Sequence, residues 1–64
     1  MCVATVYIES DGELKELMSE VIRIDVEGHK LRLTNLFGQE ECIEGELKSI
    51  DFWEEHLVVV QPSK

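Results

Sequence analysis

The stretch Glu20-Val21-Ile22-Arg23-Ile24-Asp25-Val26-Glu27, then Gly28-His29, then Lys30-Leu31-Arg32-Leu33-Thr34-Asn35-Leu36, decides the fold class. Ile22, Ile24 and Val26 fall on one side and Arg23, Asp25 and Glu27 mostly on the other; Leu31 and Leu33 then oppose Arg32 and Thr34. A period of two is that of a half-buried β-strand, whose successive side chains leave on opposite faces. Between the runs, Glu27-Gly28-His29-Lys30 is a turn, and Gly28 can take the positive φ that such turns need.

The same rhythm extends in both directions. Residues 3–9 are rich in β-branched and aromatic types, and Ser10-Asp11-Gly12-Glu13 follows as a hairpin turn. Phe37-Gly38-Gln39-Glu40 closes the next hairpin. Residues 41–50 form a strand with Ile43, Leu47 and Ile50 among charged residues, and Gly45 marks a bulge or sharp bend. Residues 51–55 are a turn carrying Phe52 and Trp53, and 56–61 are the last strand. Only 13–19 departs from this pattern, since Leu14, Leu17 and Met18 have helical spacing. In so β-rich a chain it is read as a short strand followed by a kink or one helical turn. The expected fold is all-β, a small five- to six-stranded SH3-like or Sm-like barrel forming one domain over 1–64. Leu57-Val58-Val59-Val60 is apolar on both faces, so a second copy is expected to cover the outer one. The alternative is that Val58 and Val60 pack under the Phe52-Trp53 turn.

Composition narrows the function. Sixty-four residues make one small domain near the lower limit for independent folding, where a metal or partner subunit often helps. With 6 basic and 14 acidic side chains the formal net charge is −8, which argues against nucleic acid and against anionic membrane as partners. No apolar run is long enough to span a bilayer and no basic segment precedes an apolar one, so the cytoplasm is the expected location. No nucleophile elbow, phosphate-binding glycine loop or paired-cysteine metal motif is present, and an enzyme is not expected. His29 and His56 read as solvated, Glu40, Glu41, Glu44 and Glu46 as a hydrated face, and Cys42 as a small buried or half-buried hydrophobe.

Cys2 differs because of its position. If Met1 is removed, Cys2 offers an amine and a thiolate that close a five-membered chelate ring, and the backbone amide of Val3 is within reach as a further donor. Thiolate and nitrogen donors suit Ni(II) or Cu(II), whereas structural zinc wants four protein ligands that this chain does not supply. One chain has too few ligands, and a two-fold dimer bringing both Cys2 residues to its axis doubles them. The alternative is an ordinary cysteine on a frayed terminus.

The opening Met1-Cys2-Val3-Ala4-Thr5-Val6-Tyr7, the Val26-Glu27-Gly28 turn followed by Leu31 through Gly38, and the ending from Ile50-Asp51 to Leu57-Val58-Val59 resemble the CooT family of small nickel-binding proteins over essentially the whole chain. The resemblance implies a non-catalytic homodimer of small barrels, with Ni(II) between the two Cys2 residues. It also implies a link to the maturation machinery of a nickel enzyme, as metallochaperone or metal sensor. The competing reading is an acidic Sm-like protein-interaction module with no physiological metal.

Overall fold

The computed structural model describes residues 3–63. Five strands follow in order: β1 (Ala4–Ser10), β2 (Glu13–Glu27), β3 (Lys30–Asn35), β4 (Glu40–Asp51) and β5 (Leu57–Pro62). Consecutive strands pair antiparallel, and β5 closes the barrel against β1 in parallel, with Thr5 beside Leu57 and Ile8 beside Val60. The direction follows from counting. When an odd number of strands alternates up and down, the first and last run the same way, so closure must be parallel. The expected all-β five-stranded barrel is therefore present.

A barrel this small needs sharp bends, and two strands supply them. The β1–β2 register passes from Tyr7↔Glu16 to Val6↔Met18 and then to Ala4↔Val21, so β2 takes in an extra residue at each step. On its other edge Val21↔Asn35 is followed by Arg23↔Thr34, leaving Ile22 unpaired. These bulges bend β2 so that its first part pairs with β1 and its later part with β3. β4 does the same at Gly45, pairing with β3 before it and with β5 after it. Gly28 keeps its expected positive φ in the β2–β3 turn, with open space around it.

The bulges correct the reading of 13–19. No helical turn forms there; the kink comes at Glu20, whose φ is 57°. Leu17 is the extra residue between the Glu16 and Met18 rungs, which lets the consecutive Leu17 and Met18 both pack on the core. A bulge thus imitates helical spacing. They also correct the side assignment in β2: Val21 enters the core, while Ile22 and Val26 are exposed and only Ile24 packs against it.

Ala4, Val6, Val21, Leu31, Leu33, Val58 and Val60 fill the interior, with Ile8, Leu17, Met18, Ile24 and Ile43 packed around them. β5 did not need a partner chain. Both its edges are paired within one molecule, and Val59, on the outer face between Tyr7 and Ser49, is only 8% exposed. The alternative holds only in part: Val58 and Val60 lie in the barrel interior, Phe52 borders the same groove as Val58, and Trp53 stands out in solvent. An ion pair from Lys48, the bulged residue of β4, to Glu9 of β1 reaches over β5.

Candidate functional site

The register places several sequence-distant segments at one end of the barrel. Val3 enters there, since Ala4 pairs with Val21 and Val21 with Asn35. The β3–β4 turn is joined to the β2 bend by Leu36 N–H donating to the Glu20 carbonyl at 2.8 Å. The β4–β5 loop arrives at the same end, with Thr5 N–H donating to the His56 carbonyl at 3.2 Å. A cleft of about 400 Å³ lies between Val3, Ala4, Thr5, Glu20, Glu55 and His56. Two of its lining residues, Glu20 and His56, hold left-handed backbone without being glycine, at φ 57° and 52°. Such conformations cost energy and persist only where surrounding contacts impose them. Here the β2 bend and the entry into β5 impose them.

Beside the cleft, Ile22, Ile50 and Phe52 line an apolar groove with Ala4, Val21, Ile24 and Val58. A larger cleft of about 790 Å³ at the opposite end, around Glu9, Asp11, Glu46 and Gln61, offers carboxylates but neither thiol nor imidazole. His29 lies outside the chain-start cleft, with Nδ1 3.3 Å from a Glu46 carboxylate oxygen.

The metal ligands expected from sequence divide as follows. Val3 lines the chain-start cleft; Cys2 lies outside the described residues. His56, read from sequence only as a solvated residue, is exposed but borders the cleft with Val3. The signal that finds it is the strand count, because parallel closure sets the start of β5 beside the start of β1. Among the described residues, no group of three His, Cys, Asp or Glu side chains is placed to hold a metal ion. Cys42 is exposed rather than buried, because β4 turns Ile43 toward the core and so turns its neighbour outward, opposite Arg32. Glu40, Glu41, Glu44 and Glu46 are all exposed, with Glu41 on the Ile43 side of β4 and Glu40 and Glu44 on the other.

Two turns at this end are fixed by side-chain oxygens. Asn35 is buried: its Oδ1 accepts from Phe37 N–H at 3.0 Å and Gln39 N–H at 2.9 Å, and its amide donates to Gln39 Oε1 at 2.7 Å. Asp51 Oδ1 accepts from Trp53 N–H at 2.8 Å and Glu54 N–H at 3.1 Å. The amides of Glu54 and Trp53 stabilise the carboxylate and hold Asp51 below its ordinary pKa. A depressed folded-state pKa means that the turn's contribution is complete above the usual aspartate value of about 3.9 and is lost as pH falls through the lower folded value. Trp53 is the only tryptophan, so its emission reports this turn. The expected titration shows a change below about pH 4 that Asp51→Ala lacks, and Asp51→Ala shifts the emission already at neutral pH. An acid transition below about pH 4 that is unchanged in Asp51→Ala would contradict the assignment.

No helix among the described residues is long and apolar enough to cross a membrane. No curated protein sequence matches the chain significantly. The crystal structure of a protein assigned as CooT from Carboxydothermus hydrogenoformans superposes with a TM-score of 0.89 at 21% identity, covering 98% of this chain and 100% of that one, and so shares its fold. The model of the family described as CO dehydrogenase accessory protein CooT matches residues 1–61, a span that includes Cys2, Val3, the whole of β1 to β4 and all of β5 but Pro62. The chain therefore belongs to the CooT family of CO dehydrogenase accessory proteins.

Proposed function

We propose that this chain is a homodimeric nickel-binding protein of the cytoplasm that serves nickel-enzyme maturation as a metallochaperone or metal sensor. Cys2 supplies a thiolate and, once Met1 is removed, an amine; the Val3 backbone amide is a further donor. The observation that carries the reading is the family match over residues 1–61, which includes the cysteine at the chain start. The surroundings of Val3 fit such a cation. Glu20 and Glu55 contribute negative charge and His56 an imidazole to the same cleft, and nitrogen donors beside a thiolate suit Ni(II).

The dimer rests on ligand number. The Cys2 thiolate and amine with the Val3 amide are too few donors for one ion, and a second chain start supplies a second set. The exposed apolar residues Ile22, Ile50 and Phe52 flank the same end and supply contact area for that association. Nothing in the role asks for catalysis: the protein binds a metal and passes or senses it.

The test is a Ni(II) titration of protein whose processed amino terminus has been verified by intact mass. A thiolate-to-nickel charge-transfer band with a stoichiometry of one metal per dimer is expected, and Cys2→Ser removes the band. Unchanged affinity in that variant rejects Cys2 as the ligand, and a monomeric nickel complex under native mass spectrometry rejects the shared site.

A further inference from the structure

The two fixed turns at the chain-start end share a design beyond their hydrogen bonds. In each, the residue two places after the capping side chain is aromatic and held in solvent: Phe37 is 75% exposed and Trp53 is 89% exposed. In each, exposed carboxylates follow, Glu40 after the first and Glu54-Glu55 after the second. A 64-residue chain has little apolar area to spare for its core, yet its single tryptophan is placed outside it. The turns that hold these rings are already ordered, so docking costs little further backbone entropy.

We infer that the Phe37 and Trp53 turns form a docking face for a partner protein whose surface presents apolar sockets bordered by Lys and Arg. Tryptophan anchors are enriched among residues that dominate binding energy, and a ring of opposite charge steers the encounter and sets the orientation. Charge complementarity selects this occupant. The second copy of the proposed dimer is assigned the groove of Ile22, Ile50 and Phe52; on the Phe37 and Trp53 turns it would set like carboxylates against Glu40, Glu54 and Glu55. A nucleic acid could stack on the rings but would bring phosphates against the same groups.

The choice of probe rests on the proposed function: it is nickel-free CO dehydrogenase, the enzyme for which the family is named. Calorimetric titration of that enzyme with metal-free wild-type protein should give binding that weakens with salt. Trp53→Ala should weaken it by about tenfold or more, Phe37→Ala should weaken it less, and the Glu54→Lys, Glu55→Lys double variant should weaken it and flatten its salt dependence. These side chains are exposed, so the thermal midpoint of each variant should stay near that of wild type, which separates lost docking from lost folding.

Cys2→Ser should keep full docking while losing nickel. Failure of the nickel reading thus appears as docking without metal affinity. Failure of the docking proposal appears as unchanged affinity in Trp53→Ala and in the double variant, or as no wild-type binding to the enzyme. If Trp53→Ala instead weakens self-association in sedimentation velocity, the face belongs to a second copy and the proposal is overturned.

Discussion

Leu33→Ala is expected to leave the chain largely unfolded at 25 °C. Leu33 is completely buried at the centre of β3, and its neighbours in the interior, Leu31, Val6, Val58 and Val60, are equally enclosed. Truncating a buried leucine removes its transfer free energy and leaves a cavity, at a cost of about 2–5 kcal/mol. A single core in a chain this short rarely supplies more than about 3–5 kcal/mol in total. The loss therefore approaches the whole stability, whereas Leu47→Ala, at a partly exposed site on β4, should cost much less. Urea unfolding followed by circular dichroism measures both. A Leu33→Ala midpoint equal to that of wild type would mean that the barrel interior is not the main source of stability. If dimerisation adds to stability, the variant should recover structure as protein concentration rises.

Gly45→Ala is the second large expected effect, and it acts through the backbone. A Cβ at position 45 would lie 2.7 Å from the Gln61 carbonyl oxygen of β5, and that atom cannot swing aside as the end of a flexible side chain can. Gly45 also donates its N–H to the His29 carbonyl at 2.8 Å, which ties the β4 bend to the β2–β3 turn. The added methyl must push β4 and β5 apart or break that tie, and overpacking of this kind costs about 1–3 kcal/mol. Gly28→Asn is the matched comparison. Gly28 has φ 59° with nothing nearby to collide with, and asparagine tolerates that backbone region. Near-wild-type stability for Gly28→Asn with a clear loss for Gly45→Ala is the expected pattern. Equal losses would place the cost in glycine's flexibility rather than in close approach.

The strand content was legible because alternation and turn chemistry are local. Leu31 and Leu33 face the core as their period-two spacing requires, and Gly45 bends β4 as a lone glycine in a strand implies. The β2 bulges were not legible, since an extra residue is defined only against the strand it fails to match. That is why Leu14, Leu17 and Met18 imitate a helix and why Ile22 sits outside while Val21 sits inside. The outer cover of β5 was misread for the same reason. Whether Val59 is sheltered depends on Tyr7 and Ser49 beside it, which belong to distant parts of the chain.

The candidate site divides in the same way. A cysteine at position 2, directly after Met1, is a fact of sequence, and so is the chelating chemistry that its thiol would have beside a freed amine. The company that Val3 keeps is not. Glu20, Glu55 and His56 reach it only through a bend in β2 and the parallel closure of β5 on β1. Likewise, the residues of the Asn35 and Asp51 turns can be read one by one, but their common end of the barrel follows from the register of all five strands.

By itself, then, the sequence determined the all-β class, most turns and the family, because each is carried by residues adjacent along the chain. The tertiary structure alone decided which strands bend, which valines are sheltered, and which acidic and aromatic residues meet beside the chain start. Those outcomes depend on pairing between segments far apart in sequence, and a period-two pattern specifies faces without specifying partners.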